Sequence, residues 1–258
     1  MPNQYDLSVL SNQSLTPHMR RIKLYGECLN EFPTDYEIGY VKVNFSKNAA
    51  EKVLRSYTVR KFDAERNVLT LDFVDHGDLG PASRWAQKTK EGDPISILGP
   101  GSSRSVDASA DWYLIGGDMS ALPAIGANIE GLRPDAKGYV VVEILSGDDK
   151  QTLNLPERME LIWVNQEHDG LPNDKLVSTI RALPWLPGRA FPWFAGEFEG
   201  MRNMRTYFRD ERNIDKKAMY LSCYWKIGDT DEGMKRAKRQ DAETDSKEAL
   251  VGLSLIHI

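Results

Sequence analysis

Cysteine is scarce in this chain. Its 258 residues include two, Cys28 and Cys223, and four histidines, His18, His76, His168 and His257. Two thiols so far apart make no disulfide framework, and no Cys or His spacing fits a zinc or iron–sulfur centre. Long apolar runs are also missing: no stretch of roughly 18 or more apolar residues predicts a membrane-crossing helix. The opening Met1-Pro2-Asn3-Gln4-Tyr5-Asp6 lacks the basic-then-apolar pattern of a secretory leader. These absences predict a cytoplasmic protein with no membrane partner and no structural metal. Positive charge is not in excess, since the formal net charge is −5. That argues against broad nucleic-acid binding but leaves room for a local basic pocket. There is no Gly-x-Ser-x-Gly elbow and no Walker loop, so serine-hydrolase and P-loop chemistry are not expected.

What is present is an ordinary globular composition, 41% hydrophobic and 28% charged, long enough for one large or two ordinary domains. Residues 1–107 read as short strands. Arg20–Leu24, Tyr40–Phe45, Arg55–Lys61 and Val68–Val74 alternate with period two, and one helix is expected over Ala82–Thr89. This pattern predicts a small antiparallel barrel. Asp93–Gly101 reads as its last strand, and residues 101–111 as a linker. Residues 108–240 change character. Trp112–Ile115, Gly138–Ile144, Leu161–Val164, Ala190–Ala195 and Ala218–Ser222 read as buried strands alternating with helices, which predicts a parallel sheet. The basic run Lys235–Arg239 reads as a solvated helix face. Residues 241–258 form a tail whose apolar end, Leu250–Ile258, reads equally as packed chain or as a sequence-end artefact.

Two segments carry chemistry. Arg55-Ser56-Tyr57-Thr58 places Arg55 and Tyr57 on one face of a strand and Thr58 on the other. Gly80-Pro81-Ala82-Ser83 is a turn opening a helix, where backbone N–H groups and the helix dipole hold phosphate. Alone, the first is an amphipathic strand and the second a capped turn. Together they suit a flavin dinucleotide, which needs a cation and N–H groups for its pyrophosphate and an aromatic face for its ring. Gly116-Gly117-Asp118, between a strand and a helix, is a second phosphate candidate, though it lacks a full Gly-x-Gly-x-x-Gly.

The words around these segments resemble the siderophore-interacting proteins, FAD-containing ferric-siderophore reductases of the ferredoxin-reductase superfamily. The matching stretches are His76-Gly77-Asp78-Leu79-Gly80-Pro81-Ala82-Ser83-Arg84-Trp85-Ala86 and Asp111–Asp118 running into Ala121–Ile125. Trp193-Phe194-Ala195-Gly196-Glu197 and Tyr224-Trp225-Lys226-Ile227-Gly228 complete them. The likeness runs from about residue 15 to 240. It implies a six-stranded FAD barrel followed by a Rossmann-like nucleotide domain. It also implies that Arg55 neutralises the pyrophosphate, Tyr57 packs on the isoalloxazine, and Thr58 lies near N5. The N–H groups of Gly80, Ala82 and Ser83 would hold phosphate oxygens, and His76 the ribose or adenine side.

Gly116, Gly117 and Asp118 would face a reduced nicotinamide dinucleotide. Relatives carry Glu-Thr where this chain has Met119-Ser120, so nucleotide preference stays open. Glu197 would touch the nicotinamide or simply begin the next helix. Relatives use a basic triad for the siderophore, and Lys47, Arg104 and Lys226 sit at similar positions. Lys52 could replace Lys47, and Arg104 could be a linker residue. The implied activity is FAD-dependent reduction of ferric siderophores by a cytoplasmic monomer. The donor would be NADPH, NADH or reduced ferredoxin. The alternatives are a general NAD(P)H flavin or ferredoxin reductase, and a non-enzymatic siderophore binder.

Overall fold

Alternating apolar residues build the first half of the chain into one antiparallel sheet. The computed structural model describes residues 3–34, 39–46, 53–75, 77, 80–101, 105–166 and 173–255. The strands are β1 (Gln4–Thr16), β2 (Met19–Tyr25), β3 (Tyr40–Asn44), β4 (Leu54–Thr58), β5 (Lys61–Asp63), β6 (Val68–Val74) and β7 (Pro94–Gly101). They pair in the order β4-β3-β7-β1-β2-β6-β5. Every second side chain points inward, so Leu7, Val9, Ile22, Val41, Val43 and Leu71 share one core. Each such burial contributes about 1.5–3 kcal/mol. The sheet rolls up because Tyr57 of β4 packs on Phe73 of β6 across the core, ring centroids 4.1 Å apart. Helix α1 (Pro81–Lys88) is tied to the sheet by Asn12, whose side-chain amide donates to the carbonyls of Ala86 (2.7 Å) and Thr89 (2.9 Å).

Two expectations change in this half. The sheet has seven strands, not six, because the three-residue β5 adds to the edge of β6. Arg55–Lys61 is not one strand. β4 ends at Thr58, Val59 turns fully inward, and Arg60 leaves toward the second half. The long β1 outruns its apolar alternation because a bulge between Val9 and Ser11 shifts its register. Beyond the bulge, Leu15 and neighbouring Met19 leave the barrel core and pack with the second half.

The second half is a parallel sheet of β8 (Trp112–Asp118), β9 (Lys137–Ile144), β10 (Arg158–Asn165), β11 (Ala190–Glu197) and β12 (Tyr220–Trp225). Its order is β10-β9-β8-β11-β12. Strands β8 and β11 are buried along their whole length, which explains their unbroken apolar sequence. Helix α2 (Leu122–Glu130) covers one face; α3 (Asp174–Ala182) and α4 (Phe198–Thr206) cover the other. A π-helical turn, Tyr207–Glu211, continues α4. Helix α5 (Asp231–Leu255) contains the basic run and continues through residue 240, where the sequence predicts the domain to end. Arg205 holds α5 against α4 by donating twice to Asp241, at 2.8 and 2.7 Å.

Two polar bridges lock the halves together. His18 donates its backbone N–H to Asp149 at 3.0 Å, and its ring nitrogen Nδ1 lies 2.8 Å from the same carboxylate. Arg60 donates twice to Glu130 on α2, at 2.9 and 2.5 Å. Gly126 lets Arg60 lie flat on α2, because a Cβ there would sit 3.3 Å from the guanidinium Nε.

Candidate functional site

Strand β4 and the start of α1 assemble a cradle from the barrel. Arg55 opposes Val43, and Tyr57 opposes Val41. Both valines point into the core, so Arg55 and Tyr57 share the inner face while Ser56 is exposed. Arg55 is half-buried and donates to the carbonyl of Leu54 at 2.9 Å. Tyr57 sits in an aromatic cluster. Besides Phe73, it meets Phe45 edge-on at 6.4 Å, and Trp85 of α1 lies 5.6 Å from both Phe45 and Phe73. These rings join β4 to α1. Burial pushes the Tyr57 phenol well above its ordinary value, with the Arg55 charge opposing, so the hydroxyl stays protonated.

The helix start is built for backbone donors. Gly80 precedes α1 with φ +96° and ψ 161°, a conformation that strongly favours glycine, and a Cβ there would meet open space. No side chain caps the helix among the described residues. The first-turn residues Ala82 and Ser83 are buried. The Ser83 hydroxyl faces back into the turn, donating to the Gly77 carbonyl at 2.8 Å and to Asp75 at 3.3 Å. Asp75 also accepts from the Gly77 N–H at 3.0 Å and the Gln87 amide at 2.6 Å. Burial opposes ionisation of Asp75. The bonds from Gln87, Gly77 and Ser83, with the Arg20 charge, outweigh it and hold the carboxyl below its ordinary value. Asp75 is thus the organiser of this turn, a role that its sequence position does not advertise. A half-buried guanidinium, a protonated aromatic face and a helix start with no side-chain cap among the described residues suit a flavin dinucleotide. His76 lies outside the described residues.

At the other end, Thr58 closes β4 beside the second half. Burial pushes the Tyr224 phenol of β12 upward; Tyr220 adds to this, and a hydrogen bond with Thr58 opposes it. Tyr220 in turn stacks on Trp193 of β11, centroids 5.2 Å apart.

The second candidate centre lies where β8 and β11 run side by side, the switch point of the sheet order. Its carboxyl-end crevice is filled by the chain itself. Asp118 is 6% exposed and Glu197 2%. Asp118 accepts from the Ser120 N–H (2.9 Å) and hydroxyl (2.5 Å), the Asn173 amide (3.3 Å), the Glu197 N–H (3.1 Å) and the Trp225 indole (2.9 Å). Asn173, fully buried at φ 69°, also donates to Glu143 and accepts from the Glu197 N–H at 3.0 Å. Glu197 caps α4 by accepting from the N–H groups of Glu199 and Gly200, and it accepts from Ile227 at 3.2 Å. Burial pushes the Glu143 carboxyl up; the Asn173 bonds oppose this and the Asp118 charge adds to it. Gly116 and Gly117 lie inside β8, where added Cβ atoms would meet Ile180 at 2.7 Å and the Ala195 carbonyl at 2.5 Å. They permit close packing of strands and helices. The sequence reading missed Glu143, Asn173 and Trp225. Only the folded topology brings them together.

Of the three basic candidates, Lys47 and Arg104 lie outside the described residues. Lys226 follows β12; its ammonium lies 3.6 Å from Asp229 and 5.8 Å from the centroid of Phe198. Among the described residues, no group of three or more His, Cys, Asp or Glu could hold a metal ion.

An antiparallel β domain followed by a parallel sheet is the fold of ferredoxin-reductase-like proteins. The ferredoxin–NADP+ reductase of Plasmodium falciparum shares it at TM-score 0.63 and 12% identity, over 86% of this chain and 97% of that one. The model of the siderophore-interacting FAD-binding domain matches residues 44–104, and that of the siderophore-interacting protein matches residues 110–228. The siderophore-interacting protein SipS of Aeromonas hydrophila superposes at TM-score 0.84 with 30% identity, over 94% of this chain and 99% of that one. Ferric vibriobactin reductase ViuB of Vibrio cholerae is 32% identical over 249 residues, 88% of this chain and 90% of that protein. The chain belongs to the siderophore-interacting protein family.

Proposed function

We propose that this protein is an FAD-dependent reductase that releases iron from ferric siderophores, acting as a cytoplasmic monomer. The observation that carries the reading is the cradle of Arg55, Tyr57 and the α1 start at Gly80. A pure binder would have no use for it. Bound FAD would supply single-electron transfer to Fe(III). Arg55 would neutralise the pyrophosphate, and the N–H groups of Gly80, Ala82 and Ser83 would hold its oxygens. Tyr57 would support the ring, with Thr58 at its N5 edge. No side chain need act as acid, base or nucleophile. Hard oxygen ligands hold Fe(II) far less well than Fe(III), so reduction frees the metal. Lys47, Arg104 and Lys226 would draw an anionic ferric siderophore to the flavin.

The donor would be NADPH, NADH or reduced ferredoxin. The filled crevice around Asp118 and Glu197 favours the protein donor. A nicotinamide dinucleotide would meet three carboxylates there and would have to displace the Trp225 indole. The test is anaerobic reduction of the flavin by each donor in turn, followed by titration with a ferric siderophore. Reoxidation of the flavin matched by Fe(II) release is expected. A protein that retains no flavin, or whose reduced flavin is not reoxidised by the siderophore, would overturn the reading.

A further inference from the structure

A cleft of about 360 Å³ opens on the seam between the two halves, lined from both. Thr16, Met19, Arg21 and Asp72 come from the barrel; Leu122 and the segment Lys150–Leu153 come from the α/β half. None of these residues belongs to the cradle at β4 and α1 or to the network around Asp118. The His18–Asp149 and Arg60–Glu130 bridges cross the seam, so the walls are fixed without a ligand. Preformed clefts at domain junctions are where small molecules most often bind.

Charge selects the ligand. Arg21 donates twice to Asp72, at 2.7 Å each, so those two cancel. Arg60, also on the wall, is balanced by Glu130. Lys150 is exposed and has no hydrogen bond or ion pair among the described residues, which leaves the cleft with net positive charge. The wall also holds two incomplete polar groups. Thr16 Oγ1 and Gln151 Nε2 are buried and have no hydrogen-bond partner among the described residues. A buried polar atom without a partner is destabilising, so both gain from an acceptor lodged beside them. At roughly 30 Å³ per water, the cleft holds about a dozen waters, or one molecule with a similar number of heavy atoms.

We propose that this cleft binds a small oxyanion, carboxylate- or phosphate-bearing, at a site separate from the flavin. Lys150 supplies the charge. The Thr16 hydroxyl and the Gln151 amide turn toward the ligand's oxygens, and Arg21 and Arg60 flank them. An occupant touches both halves, so it adds to the bridges that already join them.

The test uses the purified, flavin-loaded chain. Citrate and inorganic phosphate are titrated in iron-free buffer against sodium chloride of matched ionic strength, with thermal unfolding and calorimetry as readouts. One or both anions should raise the unfolding temperature without releasing flavin; citrate alone would assign a carboxylate ligand, phosphate alone a phosphate ligand. Lys150→Ala should weaken binding about tenfold, the scale of one charge-assisted contact. Thr16→Val should weaken binding several-fold, less than Lys150→Ala does, while leaving the ligand-free protein as stable as before or more so, since it removes an unpartnered hydroxyl. Solvent alone in the cleft would give no shift beyond the chloride control, which overturns the proposal. So would a shift unchanged in both variants, or flavin release by the anion. Because the readouts are unfolding and heat, an inactive reductase would not obscure the outcome.

Discussion

The two ends of this molecule treat helix starts in opposite ways. In the barrel, α1 begins at Gly80 with no side-chain cap among the described residues and open space over the glycine. In the parallel sheet, α4 begins under the carboxylate of Glu197, and Asp118, Asn173 and Trp225 fill the space in front of it. A helix N-terminus is an anion site only when its N–H groups face outward. The first shows no side-chain acceptor among the described residues, and the second has one in Glu197. Position at the carboxyl ends of parallel strands therefore does not by itself make a nucleotide site.

The comparison breaks most easily at Asp118. Asp118→Ala strands the Trp225 indole and the Ser120 N–H and leaves the Glu197 N–H with Asn173 as its acceptor. With each unpaired donor costing about 1–3 kcal/mol, a loss above about 2 kcal/mol is expected in urea unfolding. A loss under about 1 kcal/mol would mean that the network is not structural and that the crevice is available to ligands.

Arg55→Ala tests the other end. It should weaken flavin retention by about tenfold or more, the effect of losing a charge-assisted bond worth about 1.5–3 kcal/mol, whereas Lys61→Ala should retain flavin normally. Equal retention in both variants would remove Arg55 from the cradle.

Lys226→Glu sharpens the division of labour. It should slow iron reduction from an anionic siderophore by several-fold, an effect that shrinks for a neutral complex and in added salt, with flavin content unchanged. Unchanged rates with both complexes would place Lys226 in a structural pairing with Asp229 alone.

The smallest effect concerns pH. The folded-state value of Glu143 is raised above its ordinary 4.5 by burial. Its contribution to stability is therefore full below about that pH and is lost as pH rises through the raised value. Glu143→Gln keeps an acceptor for Asn173 and removes this loss. Its stability relative to the parent should rise from acid to neutral pH, read as paired urea midpoints. A constant difference across that range would refute the assignment.

Much of this was legible in the sequence because it is local. Alternation marks β2, β3 and β6, unbroken apolar runs mark β8 and β9, and the face shared by Arg55 and Tyr57 follows from strand geometry. What stayed hidden depends on distant partners. Asn173 and Glu143 are thirty residues apart and meet only at the carboxyl ends of the strands. Asp75 acts through a turn whose shape its neighbours do not encode. The end of β4 was misjudged because Val59 remains apolar while the backbone turns, and periodicity cannot register a bend that keeps its side chain buried.

Gly196 and Gly200 give the filled crevice a further meaning. A Cβ at either would lie 2.7 Å from the side chain of Asn173. One methyl group at residue 196 or 200 would therefore act as a wedge, levering the amide out of its bonds. The filled crevice rests on two missing carbons, and that makes it a feature an engineer could reverse one atom at a time.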